Sequence, residues 1–206
     1  MVLMLVEFDL PYLVYPLVAG FALIAPFIAS GFYAVSRRLE RSEPLSWGVV
    51  FGTVRSMFHR GLGWMALVTG FSLFIWMDIA TLQSLGFMSF RLFSVTELFD
   101  ILFTTPAGWV FFVIGYAAGA LIAFGVFNYT AISIPMLFGR DIDLVTAMIT
   151  SVRVVKRNPR AMAIWRATIA VLIAISLLSG FVGLLVTLPL LGHSTWHLYR
   201  RAVGPG

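Results

Sequence analysis

From Ile101 to Gly139 the chain runs 39 residues without a charged side chain. No other stretch limits the fold as much. About 20 apolar residues cross roughly 30 Å of hydrocarbon as a helix, so the run holds one full crossing with residues to spare. Pro106 near its start and Pro135 near its end place that crossing at about 107–131, with apolar flanks. Charge-free runs over Leu10–Ser36, Gly61–Met77 with Ile79–Phe90, and Ala167–Gly192 predict three more spans, near 10–36, 61–84 and 167–192. Pro11, Pro16 and Pro26 interrupt the first. Each interior proline removes a helix hydrogen bond that lipid cannot replace. That helix is expected to be kinked and packed against protein.

Composition agrees. The chain is 60% hydrophobic and 11% charged, where a soluble domain carries about 25% charge. A soluble fold of this size keeps too much surface exposed to hide such an excess. Lipid is therefore the solvent, which excludes a soluble enzyme, a nucleic-acid-binding domain and a disordered chain. The length fits one membrane domain over 1–206. Without cysteine there is no disulfide, thiolate nucleophile or Cys-based metal site. The first nine residues, MVLMLVEFD, lack the basic region of a cleavable signal peptide.

The sparse charges set orientation. Arg37–Arg60 holds five Arg and Arg140–Arg166 holds six Lys/Arg, whereas Asp78–Asp100 holds one Arg against three acids. The positive-inside rule puts both basic loops in the cytoplasm. The acidic loop and both termini then face outward, a placement that Arg200 and Arg201 fit poorly. Each basic loop carries an amphipathic segment. In Asp141–Arg157, Leu144, Val145, Met148, Ile149, Val152 and Val155 share one face, Asp141 or Asp143 caps the start, and Asn158-Pro159 ends it. In Leu45–Arg60, Val50, Val54, Met57 and Phe58 share a face. Such basic helices lie in the membrane interface or pack on the cytoplasmic end of the bundle. The fold class is an all-α integral membrane bundle of about four spans with two interfacial helices. The order of proline-bearing span, basic amphipathic helix and second span occurs twice, over 10–90 and 101–200. It marks a candidate internal duplication of parallel type.

The phrases AGFALIAPFIASGFYAVSRRLE (19–40), ISIPMLFGRDID (132–143) and, most specifically, GHSTWHLYR (192–200) resemble a family of bacterial integral membrane proteins known only as a domain of unknown function. Some of its relatives carry a cytochrome c oxidase label without an established role. Family members usually have a further N-terminal apolar stretch. The resemblance implies that Met1 falls inside that region, MVLMLVEF being the tail of a missing span. It supplies no catalytic residues.

Few residues offer chemistry. Asp78 lies roughly 25 Å along a span that starts at Gly61, at 1.5 Å per residue. That is a solvated helix end, a proton or ion site, or an intersubunit pair. His193 and His197 share a helix face. A metal needs a third ligand and a haem needs an axial ligand from another span. The remaining histidine, His59, falls in a loop on the opposite side. No metal or cofactor is expected. Trp196 and Tyr199 suit an interfacial aromatic belt, with His193, His197 and Arg200 bonding headgroups or a partner. Arg140, Asp141 and Asp143 suit a local ion pair and helix cap, or a headgroup or substrate site. Asn128, Tyr129, Thr130 and Ser133 are packing glue. Gly115 and Gly119 form a GxxxG for close helix packing within the bundle or with a partner. Phosphate-loop, nucleophile-elbow and dinucleotide motifs are absent from the sequence.

The expected function is therefore structural and non-enzymatic: an accessory or assembly subunit of a larger, respiratory-type complex in the bacterial inner membrane. Its partners would be the bilayer and other membrane subunits, not nucleic acid. The alternative is a small-molecule transporter or channel.

Overall fold

The computed structural model describes residues 30–88 and 95–204. Among the described residues, regular structure is all helical: α1 (30–40), α2 (Trp47–Met57), a π-helical turn (Phe58–Leu62), α3 (Gly63–Met88), α4 (Val95–Thr104), α5 (Pro106–Thr130), α6 (Ser133–Gly139), α7 (Leu144–Arg157), α8 (Pro159–Leu178) and α9 (Leu184–Val203). Among the described residues three segments are long and apolar enough to cross a membrane: Gly63–Gln83, Pro106–Gly139 and Pro159–Leu178. The all-α membrane bundle is thus the fold. Most of the first expected span, with its three prolines, lies outside the described residues.

The chain forms two compact units, one of Met1–Leu23 with Thr69–Gly125 and one of Ile24–Val68 with Val126–Gly206. Charge divides between them. The second holds thirteen Lys/Arg against four carboxylates, a net +9, and the first holds one Arg against five carboxylates, a net −4.

In the first unit, Thr105 caps α5 by accepting from the Gly108 amide at 3.0 Å, and Pro106 fills the first helical position. The crossing helix therefore starts one residue from the expected point. Gly115 and Gly119 seat side chains of the same chain: a Cβ at Gly119 would lie 2.9 Å from the Trp76 ring, and one at Gly115 would lie 3.1 Å from the Gln83 amide. Gln83 donates to the Phe111 carbonyl at 2.5 Å. Asp78 is exposed, and α3 continues past it to Met88, so it is not a helix end.

In the second unit the core is built around α6, whose residues Ser133–Phe138 are all buried. A short helix that is apolar on every side must be surrounded, and α1, the π-helical turn, α7 and α9 surround it. The expected apolar flank after residue 131 is therefore a separate core helix. The cause of the break is specific. A continuous helix would bond the Ile132 amide to the Asn128 carbonyl, four residues back. The hydroxyl of Ser151, from α7, stands between them, accepting from Ile132 N at 3.1 Å and donating to Asn128 O at 2.8 Å.

That insertion also fixes the rotation of α7, and it corrects the expected apolar face. Ala147, Ser151, Val154 and Val155 are buried, while Val145 and Ile149 are exposed. Asp143 is the N-cap, accepting from the Thr146 amide at 2.9 Å. Those bonds hold its carboxyl below the usual carboxylate range. The two amphipathic helices join their spans differently. α2 runs on into α3 through the π-helical turn, whereas α7 stops at Asn158 and α8 restarts at Pro159.

The fourth expected span, 167–192, is corrected too. α8 ends at Leu178 and α9 starts at Leu184, packed back along α8. The residues 179–183 reverse the chain, so α9 returns to the end of the unit where α8 began. The sequence alone hid this turn because Ser179, Gly180, Phe181, Val182 and Gly183 carry no charge. An outward C-terminus is therefore replaced by one beside the basic residues, which removes the conflict over Arg200 and Arg201.

Candidate functional site

The cluster that joins α1, α6 and α9 gathers most of the residues singled out in the sequence. α1 and α9 approach closely at Gly192, where a Cβ would fall 2.7 Å from the Phe32 Cβ. This approach brings Ser36 to His193. The Ser36 hydroxyl donates to the Phe32 carbonyl at 2.8 Å and meets His193 Nδ1 at 2.6 Å. A hydroxyl has one proton to give. With that proton on Phe32 O, the serine oxygen accepts from an Nδ1–H ring, whereas the other tautomer takes the serine proton at Nδ1. Burial first, then the neighbouring His197, holds His193 below the usual imidazole range.

One turn further along α9, three side chains converge on Glu40. Trp196 Nε1 donates to Glu40 Oε1 at 2.9 Å, Arg200 Nε lies 3.1 Å from Oε2, and His197 Nδ1 lies 3.8 Å from Oε1. The spacing 196, 197, 200 places all three on one side of a helix. Behind this polar edge, Tyr33, Phe138, Trp196 and Tyr199 pack their rings edge-on or stacked, with centroids 5.4–6.4 Å apart.

The arginines act on helix ends. Arg37 Nη1 donates to the Phe138 carbonyl at 2.7 Å, in the last turn of α6. Arg140 Nη2 donates to the carbonyls of Val203 and Gly204, both at 3.1 Å, at the end of α9. C-terminal carbonyls lack helical partners and carry partial negative charge, so each cation satisfies them. Burial foremost, then Arg41, lowers the Arg37 pKa.

His193, Trp196, His197, Tyr199, Arg200 and Arg140 therefore meet in one place. Asp141 is exposed and makes none of these contacts. The aromatic-belt reading is corrected for two residues: Trp196 and Tyr199 are 1% and 0% exposed and touch protein, not lipid. Arg140 bonds backbone 63 residues away. Sequence reasoning missed Ser36, Arg37 and Glu40 as members. The available signal was Glu40, an acid set within a dense run of arginines. Asn128 also proves more than glue. Its Oδ1 accepts from Arg166 Nη2 at 3.2 Å, and the Arg166 guanidinium sits 4.5 Å from the Phe127 ring centroid. Among the described residues no three His, Asp or Glu side chains form a metal-holding group.

Comparison with known families places this geometry in context. A family model described as a predicted integral membrane protein, DUF2189, matches residues 14–139. The chain belongs to the DUF2189 family. The DUF2189 match includes the 19–40 phrase and residues 132–139, and so the α1 and α6 sides of the cluster. It stops short of α9 and the GHSTWHLYR phrase. No curated protein and no solved structure matches the chain.

Proposed function

We propose that this DUF2189 protein is a non-enzymatic accessory or assembly subunit of a larger complex in the bacterial inner membrane. One observation carries the reading. The strong polar groups of the cluster are spent on other elements of the same chain: Glu40 on Trp196 and Arg200, Arg37 on Phe138, Arg140 on Val203 and Gly204. Side chains used as ties are poorly placed to bind and turn over a substrate. A partner could bind the first unit, where Phe103, Trp109, Phe112 and Tyr116 form a run of touching rings and Trp109 and Tyr116 are exposed. Aromatic anchors of this kind dominate interface energetics. A respiratory complex is the proposed partner, on the strength of the labels carried by resembling proteins.

The test is extraction of the tagged chain at native expression into polymer-bounded discs, with the particle mass measured. A heavier particle holding a stoichiometric second subunit is expected, and the double variant Trp109→Ala, Tyr116→Ala should release the free chain. A lone monomer or homo-oligomer refutes the proposal.

A further inference from the structure

The α8–α9 hairpin exposes a large apolar tip. Leu178 is 88% and Leu185 is 77% exposed, and Val171, Ile175, Val182 and Val186 extend the surface. The question is how far this surface enters the membrane. Two polar ties set its base. Arg166 on α8 bonds Asn128 near the end of α5, after 22 uncharged residues from Pro106 to Phe127 that rise about 33 Å, the thickness of the hydrocarbon core. His193 on α9 bonds Ser36, directly before the Arg37-Arg38 pair. Both ties therefore lie at the basic end of the unit, at the membrane surface. Beyond them α8 continues for 12 residues, Ala167–Leu178, and α9 has 9, Leu184–Gly192. These lengths are about 18 and 14 Å, roughly half of the hydrocarbon thickness.

Five of the six amides from Ser179 to Leu184 are satisfied within the hairpin, that of Val182 being the exception, as suits an apolar medium where unsatisfied backbone groups are costly. Phe181 N donates to Ser176 O and Gly180 N to Leu177 O, both at 3.1 Å. This is the Schellman pairing, with Gly180 at φ +67 in the left-handed position it requires. Gly183 N donates to Ser179 Oγ at 2.9 Å, and Leu184 N to Phe181 O at 3.1 Å. Between the arms, the hydroxyls of Ser176 and Thr187 bond at 2.6 Å.

We infer that α8–α9 is a re-entrant hairpin whose tip contacts the acyl chains of the cytoplasmic leaflet near the bilayer midplane and does not cross. α8 has the length and composition of a span, but its first eight residues belong to the surface. The collar of Arg160, Arg166, Arg200 and Arg201 faces headgroups, and the occupant of the tip surface is hydrocarbon.

The chain contains no cysteine, so single-cysteine variants of the full chain report without background. Val182→Cys, Leu190→Cys and Ala202→Cys sample the tip, the arm and the returning end. In sealed vesicles of each orientation, a membrane-impermeant maleimide should label Ala202→Cys from the same face as Arg153→Cys, and should leave Val182→Cys unlabelled from both faces until detergent is added. A fluorophore at Val182→Cys should be quenched most by lipids brominated near the chain ends, and one at Leu190→Cys by lipids brominated nearer the headgroup. Labelling of Val182→Cys from the face opposite Ala202→Cys means a full crossing, and labelling from the same face means no insertion. Either result overturns the inference.

Discussion

Ser151 gives the sharpest test of how this fold is held. Its side chain is 0% exposed, and its one hydroxyl serves both the Ile132 amide and the Asn128 carbonyl. Ser151→Ala removes one oxygen and leaves a buried donor and a part-buried acceptor without it. Each such orphan costs about 1–3 kcal/mol. Two would cost roughly 2–6 kcal/mol, with the lower end expected because the two groups can partly close on each other. At about 2–4 °C per kcal/mol for a chain of this size, the midpoint of thermal unfolding should fall by roughly 5–10 °C. Direct closure has its own cost, since it straightens α5 into α6 and draws Phe138 and Leu137 from the core. Intrinsic tryptophan fluorescence, followed on heating in a mild detergent at a fixed scan rate, reads the midpoint. Ser151→Cys, with a weak donor and acceptor of similar shape, should fall between Ser151→Ala and the parent. A Ser151→Ala midpoint within 1 °C of the parent would show that the hydroxyl does not hold the break, and the account of α6 would fail.

Gly192→Ala should destabilise by about 1–3 kcal/mol through overpacking, because its methyl would meet Phe32 at 2.7 Å. The same thermal assay checks it, and Gly70→Ala, where no atom stands within 4 Å, is the neutral comparison. Glu40→Gln keeps an acceptor for Trp196 and loses the charge facing Arg200, so a loss under about 1 kcal/mol that shrinks with added salt is expected for this partly exposed pair. His193 is held below its usual pKa of about 6.5, so the unfolded chain binds its proton first. That contribution to stability is intact above the ordinary value and is lost as pH falls through it toward the lowered folded value. Melts of the parent and His193→Gln should therefore converge only below about pH 6.5; a constant gap from pH 8 to pH 5 would contradict the assignment.

The crossings were legible because each depends on local pattern. A charge-free run, a proline near its start and a basic flank place both ends of α5 within a residue and the start of α3 within two, while α3 runs four residues past its expected end. The Asp143 cap was legible for the same reason. The break after Thr130 was not, since its cause is a serine 19 residues away on another helix. Nor was the reversal at 179–183, because a turn built to sit in an apolar medium has the same composition as the span it interrupts. Gly180 and Gly183 were its one trace. The cluster gathered residues already marked by type, but their partners were invisible: Glu40 lies 156 residues from Trp196, and no periodicity joins them.

That separation has a consequence for biosynthesis. The chain is made from its N-terminal side, so α1 and α6 emerge while α9 is still unmade. Until Arg140 finds Val203 and Glu40 finds Arg200, one arginine and one carboxylate wait at the membrane surface without these contacts. Closure of the cluster is thus a late event in synthesis, and it reports on the whole unit at once. A chain stalled before α9 would keep these charges and the faces of Tyr33 and Phe138 uncovered, offering membrane proteases a clear mark of incompleteness.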